Sequence, residues 1–355
     1  MKILITGVCG FVGSTLAECL LGRLQGISVF GIDNLMRPGA ETNRARIERL
    51  GVKFSHGDLR SASDVAGLPA CDWVIDAAAE PSVLAGLSGA GSSRRLFEHN
   101  LTAFSNVLEY CREHKAGLLL ISSSRVYSIP ALAAVPLCVR DKAFALDPCA
   151  SLPQGLTADG IGVDFSTAAP ISLYGATKLA SEIMALEYGG AFDFPVWITR
   201  CGVLAGAGQF GTPAQGIFAY WVNAHLRRRP LRFIGFDGTG HQTRDAMHPR
   251  DLASLLAAQI NTSRTGGRRV YTAGGGPANA MSLAQLNAWC DEHFGCHTPE
   301  IDTRPRPFDV PWVAMDRTVA AIDFNWSIET PLSAILEEIA LHAEAHPEWL
   351  EVSRV

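Results

Sequence analysis

The sequence predicts an α/β fold with a doubly wound parallel sheet and a smaller C-terminal region interleaved with it. Two observations predict this fold class. Short apolar runs alternate with segments of helical periodicity through the first 200 residues, and a glycine pattern follows the first apolar run directly. Hydrophobic residues make up 48% of the chain and charged residues 18%, which excludes a disordered or fibrous protein.

The distribution of apolar residues predicts strands at residues 2–6, 27–32, 52–56, 73–77 and 117–122, of which the last is a continuous apolar run. Helical spacing predicts helices at residues 14–24, 96–114 and 174–188. We therefore assign residues 1–200 to one domain. Residues 201–355, where glycine-rich loops alternate with short helices, form a second region partly interleaved with the sheet. Residues 128–165 are rich in Pro, Ala and Gly and predict an irregular connection of unusual length.

Charge and composition bear on whether the protein binds nucleic acid, a membrane or a metal. The net charge of −5 gives no general reason to bind nucleic acid or an anionic membrane. No apolar run is long enough for a membrane span, and the first apolar run is too short for a signal peptide. The nine cysteines form no CxxC and no Cys/His zinc spacing. We expect reduced thiols, no bound metal and a cytoplasmic location.

The segment from Gly7 to Gly13 has the pattern GxxGxxG between a predicted strand and a predicted helix. In that context Gly7 permits the tight turn, Gly10 lets the backbone approach a pyrophosphate, and Gly13 lets the helix pack closely on the strand. The pyrophosphate then lies at a helix N-terminus. The pattern predicts a Rossmann dinucleotide site, although a purely structural glycine turn remains an alternative.

Asp33 strengthens the dinucleotide interpretation. It lies 20 residues after Gly13 at the end of the second predicted strand, where a carboxylate accepts hydrogen bonds from an adenosine ribose. Its charge would repel a 2′-phosphate, which favours NAD, while Arg37 nearby keeps NADP open. Asp58 ends the third predicted strand and is a candidate for the adenine end.

Tyr174 and Lys178 begin a predicted helix and share one of its faces. A free tyrosine titrates near pH 10, and a neighbouring Lys178 cation would favour its phenolate, which could then act as an acid/base group. Ser122, Ser123 and Ser124 end the fifth predicted strand, at the edge of the sheet where ligands gather. A serine hydroxyl there could hold a reacting oxygen, and turn-capping serines are the alternative.

Together these motifs resemble the extended short-chain dehydrogenases/reductases of the sugar-nucleotide epimerase/dehydratase type. The resemblance covers the chain from GxxGxxG through HGD at 56–58, SSSRVY at 122–127 and YxxxK at 174–178 to Arg244-Asp245. It implies Ser123, Tyr174 and Lys178 as catalytic residues, with Tyr174 and Lys178 also at the cofactor. It extends the cofactor site to Phe11, Val12, Asn34, Leu59, Ala77, Ala78, Ala79, Asn100, Ser122 and Cys201. It places Ser82, Ser123, Ser124 and Gln209 at the substrate.

A narrower resemblance is to the CDP-paratose 2-epimerases. It is carried by residues 33–43 (DNLMRPGAETN), residues 164–166 (DFS) and residues 208–216 (GQFGTPAQG). The resemblance implies inversion of C2 of a CDP-linked 3,6-dideoxyhexose on bound NAD. The long 127–174 connection and Ala205, where a tyrosine is usual, depart from the pattern. Dehydratases of this type have Asp-Glu directly after the catalytic hydroxyl, whereas Ser124-Arg125 stands here, which disfavours elimination of water.

Arg244 and Arg306 are candidates to hold the substrate diphosphate, because guanidinium groups match its oxygens, although ordinary surface arginines would need no such role. The rival functions are a UDP-hexose 4-epimerase, a sugar-nucleotide ketoreductase and a non-catalytic NAD-binding regulatory protein. We also expect a homodimer, because helices 96–114 and 174–188 carry apolar residues beyond one stripe and related enzymes pair such helices.

Overall fold

A computed structural model describes residues 1–87, 92–262 and 266–354 of the chain. In chain order its strands are β1 Lys2–Thr6, β2 Ser28–Asp33, β3 Lys53–His56, β4 Trp73–Asp76, β5 Gly117–Ser123, β6 Leu137–Arg140, β7 Ala143–Leu146, β8 Leu156–Thr157, β9 Gly160–Ile161, β10 Val196–Cys201, β11 Val203–Leu204, β12 Arg232–Ile234, β13 Thr243–Met247, β14 Val270–Ala273, β15 Ala280–Ser282, β16 Glu300–Asp302 and β17 Trp312–Val313.

The helices are α1 Phe11–Arg23, α2 Ala40–Arg49, α3 Ala62–Ala66, α4 Ser92–Phe97, α5 Ala103–His114, α6 Ile129–Ala133, α7 Ser172–Phe192, α8 Ile217–Leu226, α9 Pro249–Asn261, α10 Leu283–Phe294, α11 Thr318–Phe324, α12 Leu332–Ala345 and α13 Trp349–Val352. A π-helical turn, Glu98–Thr102, joins α4 to α5, and a 3₁₀ turn, Ser124–Val126, comes after β5. No helix in the described ranges is long and apolar enough to cross a membrane.

Seven described strands form a parallel sheet in the order β14-β10-β5-β4-β1-β2-β3. Successive residues of a strand point to opposite faces, so β1 contributes to two cores. Ile3 and Ile5 pack with α1 and α9 on one face. Leu4 packs with α5 on the other. Burial on both faces explains why the central strand β5 is a continuous apolar run, and the predicted Rossmann α/β fold is confirmed.

The C-terminal half of the chain contributes to both parts of the molecule. β14 pairs with β10 at the edge of the seven-stranded sheet, and α9 packs on α1. Before α9 and after β14 in the chain come the strands of a second sheet, in which β13 pairs with β11, β15 and β17. Helices α8, α10 and α12 pack together beside it. The chain therefore passes from one part to the other more than once. A domain boundary near residue 200 stays a prediction.

The prediction of an irregular segment at 128–165 is wrong in part. α6 and two hairpins, β6–β7 and β8–β9, form there. Their apolar side chains, including Phe144 and Leu156, pack against Trp312 and Val313. The Phe144 amide donates to the carbonyl of His241, and the Thr243 hydroxyl donates to the carbonyl of Phe144. The order of this segment comes from contacts with residues far away in sequence, which local periodicity does not reveal.

Candidate active site

A cavity of about 730 Å³ lies at the carboxyl ends of β1, β2, β4, β5 and β10. Its lining contains Ser123, Tyr174 and Lys178 and every predicted cofactor residue except Asn100. It also contains every predicted substrate residue except Ser82. The structure thus brings nearly all the residues singled out from the sequence to one place.

Ser82 and Asn100 lie outside this lining. The Ser82 hydroxyl accepts a hydrogen bond from the amide of Leu84. The Asn100 side chain bonds both backbone groups of Glu80 and donates to the Thr177 hydroxyl at 3.0 Å. These bonds tie the loop after β4 to α7, which is a positioning role.

The glycines of the loop from Gly7 to Gly13 allow its backbone to lie very close to neighbouring backbone. Gly7 has a φ of +62°, and a Cβ there would lie 2.9 Å from the Cα of Ala78. A Cβ on Gly13 would lie 2.2 Å from the carbonyl oxygen of Gly7. Larger residues would push the loop away from both β4 and α1. The first amides of α1 therefore remain at the cavity, where they can bind an anionic pyrophosphate.

Asp33, at the end of β2, is hydrogen-bonded to the glycine loop. Its carboxylate accepts hydrogen bonds from the amides of Cys9 at 2.9 Å and Leu35 at 2.8 Å. Burial raises the pKa of Asp33 against the lowering effect of these amides. Because the carboxylate also lines the cavity, it has lone pairs left for ribose hydroxyls. The glycine cradle and this acceptor fit a dinucleotide.

Asn34, Asp58 and Arg60 form a hydrogen-bonded group beside Asp33. Arg60 donates to both carboxylate oxygens of Asp58, and Asn34 donates to one of them at 3.2 Å. These bonds hold the pKa of Asp58 well below its usual range, so this carboxylate stays charged. Arg37 donates instead to the carbonyl of Phe210 at 2.7 Å. Arg37 therefore links the cofactor half of the cavity to the C-terminal region.

The predicted catalytic residues come from two adjoining elements. Ser123 ends β5, and Tyr174 lies in the first turn of α7. Gly175 lets these elements touch, since a Cβ there would lie 2.2 Å from the carbonyl oxygen of Arg125 in the turn after β5. Burial raises the pKa of Tyr174 to about 12, while a hydrogen bond with Ser123 and the charge of Arg125 act in the opposite direction.

Lys178 lies one helical turn after Tyr174 and is buried. Burial lowers its pKa, and the carboxylates of Asp76 and Glu182 oppose that shift. The charge of Arg125 lowers the pKa of Tyr174. Sequence reasoning did not select Arg125 as a site residue. Its position two residues after Ser123 was the available signal.

A buried ionic network connects β5, β10 and α7. Arg200 on β10 forms a salt bridge with Glu182 on α7 at 2.7 Å, with both side chains almost fully buried. The Ser122 hydroxyl donates to Glu182 at 2.5 Å. Because its hydroxyl faces this network, Ser122 fixes the end of β5 to α7. Sequence reasoning missed Glu182 and Arg200.

Arginines from the C-terminal region make one end of the cavity positively charged. Arg244 donates to Asp309 at 2.8 Å and to the carbonyl of Val310, and Arg306 donates to the carbonyl of Pro213. With Arg125, these residues give three guanidinium groups around one carboxylate. Such a group has excess positive charge and suits a diphosphate.

Two glutamines, Gln209 and Gln242, also line this end of the cavity. Gln209 donates its amide nitrogen to the carbonyl of Leu204, and Gln242 donates to the carbonyl of Ile234. These bonds fix which way each amide faces. Within the described parts of the chain, their opposite carbonyl oxygens are buried and have no hydrogen-bond partner. Because these oxygens have almost no accessible surface, a ligand in the cavity does not reach them in this structure.

Comparison with known proteins agrees with this geometry. The profile of the NAD-dependent epimerase/dehydratase family matches residues 3–274. The chain belongs to this family. The family match confirms the predictions of an enzyme and of NAD as its cofactor, and the glycine cradle and Asp33 fit that cofactor.

Individual relatives in the epimerase/dehydratase family differ in substrate. A CDP-paratose 2-epimerase of Salmonella typhi is 29% identical over 81% of this chain and 82% of its own length. A dTDP-L-rhamnose 4-epimerase of Burkholderia thailandensis is 26% identical over 95% of this chain and 93% of its own length. The solved structure of a Bacillus cereus UDP-glucuronic acid 4-epimerase, with UDP-glucuronic acid and NAD, matches with a TM-score of 0.78. It is 23% identical and covers 97% of this chain and 99% of that one.

Proposed function

We propose that this chain is a cytoplasmic, homodimeric nucleotide-sugar epimerase that inverts C2 of a CDP-linked 3,6-dideoxyhexose. The observation that carries the proposal is that Ser123 and Tyr174 line the same cavity as Arg244 and Arg306. Ser123 and Tyr174 provide acid/base chemistry on a sugar hydroxyl. Arg244 and Arg306 provide positive charge for a diphosphate.

Bound NAD supplies a reversible acceptor for a hydride from a sugar carbon. Tyr174, as phenolate, takes the proton of the hydroxyl on that carbon, and returns it when the carbon is reduced again. The Ser123 hydroxyl donates to the same oxygen and stabilises charge that develops on it. The keto-sugar must turn over between the two steps, so Arg244 and Arg306 must hold the diphosphate while the sugar moves.

The two residues after Ser123 favour epimerisation over dehydration. Elimination of water needs an acid and a base besides Tyr174, and dehydratases of this type supply them as Asp-Glu. Here Ser124 and Arg125 occupy those positions, and the Arg125 guanidinium donates to the carbonyl of Phe308. A guanidinium does not lose its proton near neutral pH and cannot serve as the base.

One observation supports a CDP-sugar. The Salmonella typhi relative is a CDP-paratose 2-epimerase that aligns with 81% of this chain. The Burkholderia relative favours a second candidate, inversion at C4.

We expect the purified enzyme to convert a CDP-3,6-dideoxyhexose into its C2 epimer without an added redox partner. Product made in deuterated water should carry no deuterium at C2, because the hydrogen leaves and returns as hydride inside the cavity. NMR couplings at C2 and C4 identify the inverted carbon, and a panel of CDP- and UDP-sugars identifies the nucleotide.

Each other outcome of that experiment excludes a part of the proposal. Inversion at C4 with C2 unchanged contradicts the CDP-paratose-type assignment and supports the 4-epimerase. Deuterium at the inverted carbon contradicts hydride transfer. Build-up of free NADH in proportion to the enzyme contradicts epimerisation, because it marks a dehydrogenase that releases its cofactor.

We expect the protein to bind NADH at least about tenfold more tightly than NADPH, because the Asp33 carboxylate would lie beside a 2′-phosphate. Asp33→Asn should reduce this ratio. Fluorescence titration of both cofactors measures it. Asp72→Asn is the control. Asp72 lies at the amino ends of the strands, on the opposite side of the sheet from the cavity, and accepts a hydrogen bond from the backbone amide of Lys2. Equal affinities in the wild type would show that Asp33 does not select the cofactor.

We expect the protein to be a dimer at micromolar concentration, paired through α5 and α7. α7 exposes Ile183 (56%) and Leu186 (37%), apolar side chains that a partner would cover. Ile183→Glu should then give monomers, as measured by sedimentation equilibrium. Ile322→Glu is the matched control, because Ile322 is 75% exposed on α11. A monomeric wild type, or equal effects of both substitutions, would contradict this interface.

A further inference from the structure

Residues 208–216, which we call the strap, extend from the cofactor side of the cavity to its positively charged end. Gln209, Phe210 and Pro213 are among the strap residues that line the cavity. Arg37, in the loop after β2, donates to the carbonyl of Phe210 at 2.7 Å. Arg306 donates to the carbonyl of Pro213 at 3.0 Å. One guanidinium from each side of the cavity therefore holds the strap by its backbone.

The strap begins beside the N-terminus of α1, where the pyrophosphate of the cofactor is expected. A Cβ on Gly206, two residues before the strap, would lie 3.2 Å from the ring of Phe11, the first residue of α1. The residues at the two ends of the strap, Gly208 and Gly216, have φ values of +74° and +71°. Glycine adopts this left-handed backbone without steric cost. The strap is thus a cover over the cofactor side, with a conformationally permissive residue at each end.

Trp349 on α13 holds the strap and does not itself line the cavity. Its indole Nε1 donates to the carbonyl of Gln209 at 2.9 Å. Its ring stacks on the ring of Phe210, with the centroids 5.2 Å apart and the planes at 21°. Both aromatic side chains are buried. Trp349 can therefore affect a molecule bound in the cavity only through the strap.

α13 and the strap also meet the loop after β2, which lines the cofactor side of the cavity. Gly39 ends this loop with a φ of +87°. A Cβ there would lie 2.5 Å from the ring of Phe210 and 2.9 Å from Cγ1 of Val352 on α13. The loop, the strap and α13 therefore pack together with no space for a further atom. Any displacement of the strap must break its contacts with α13 or move α13 with it.

We propose that Trp349 is a positioning residue that keeps the strap closed and thereby sets how slowly NAD leaves the enzyme. The cofactor leaves only when the strap is displaced, and displacement breaks the hydrogen bond to Gln209 and the stack on Phe210. The proposal requires only that the chain binds NAD, which the family match gives. Slow release suits an epimerase, because the hydride must return from the cofactor molecule that accepted it.

The test is the rate at which bound NADH leaves the purified chain. The protein is loaded with NADH, an excess of NAD is added, and the decay of protein-bound NADH fluorescence gives the dissociation rate. We expect Trp349→Ala to raise this rate about tenfold or more, because one aromatic contact and one hydrogen bond to the strap are lost. Trp349→Phe keeps an aromatic ring and loses only the hydrogen bond, so it should raise the rate about threefold.

Trp326→Ala is the matched control. Trp326 is 5% exposed, against 7% for Trp349, and it also lies outside the cavity lining. Its indole Nε1 likewise donates to a backbone carbonyl, that of Asp251 on α9 at 2.9 Å. Its loss should leave the NADH dissociation rate within about twofold of wild type. Hydrogen exchange, followed by mass spectrometry, should become faster in the strap in Trp349→Ala and stay unchanged there in Trp326→Ala.

An unchanged NADH dissociation rate in Trp349→Ala overturns the proposal. If the alanine variant does not fold, an unchanged rate in Trp349→Phe overturns it instead. Faster release without faster hydrogen exchange in the strap also overturns it, and so does an equal rise in Trp326→Ala, which would mark a general loosening of the fold. Failure of the proposed function is distinguishable from these results. A different product or inverted carbon would change the assays with sugars and leave the NADH dissociation rates as expected.

Discussion

Tyr174→Phe should lower turnover by about 10²- to 10⁴-fold, the range typical of a lost acid/base group. The substitution removes one oxygen from a side chain that is only 7% exposed and keeps the ring that fills the site. Fold and cofactor affinity should therefore stay close to wild type. Steady-state kinetics, circular dichroism and cofactor titration measure the three quantities.

Tyr188→Phe is the control on the same helix. Tyr188 lies on α7 outside the cavity, where its hydroxyl donates to Glu109. Loss of that hydroxyl should leave turnover nearly unchanged. Turnover near wild type in Tyr174→Phe would remove Tyr174 from the mechanism.

Glu182→Ala should lower the free energy of unfolding by about 3–5 kcal/mol, because it leaves the buried Arg200 without its carboxylate. It also removes the acceptor of the Ser122 hydroxyl. Urea denaturation measures the loss. Glu98→Ala, at an exposed pair with Arg94, should cost less than about 1 kcal/mol.

A double variant separates the buried charge from the lost contact. Glu182→Leu with Arg200→Met replaces both charges by apolar groups and should recover much of the stability that Glu182→Ala loses. Equal loss in the single and double variants would show that packing, not an unpaired guanidinium, causes the effect.

The residues that sequence reasoning identified share a local signal. Gly7, Gly10 and Gly13 come after a strand within one short segment, and Tyr174 and Lys178 are one helical turn apart. Motifs that directly follow parallel strands lie together at the carboxyl ends of those strands. That is why the cavity, and the place of Tyr174 and Lys178 in its lining, could be predicted from the chain alone.

The residues that it missed depend on contacts between distant segments. Glu182 and Arg200 look like ordinary charged residues of a helix and a strand, and only the packing of α7 on β10 makes them a buried pair. β14 has four residues and is defined by its pairing with β10. The position of Arg125 near Tyr174 depends on α7 approaching the turn after β5, which Gly175 permits. None of these has a periodicity that a window of sequence could detect.

The position of β14 also limits how this enzyme can be divided. β10 has β5 on one side and β14 on the other, and β14 comes from far beyond residue 200. A fragment that stopped after β10 would expose an apolar edge strand with unpaired amides and carbonyls, which invites aggregation. Exchange of substrate-binding parts between relatives at a single crossover would have the same cost. Recombination in this lineage should therefore favour loop replacement over exchange of whole C-terminal halves.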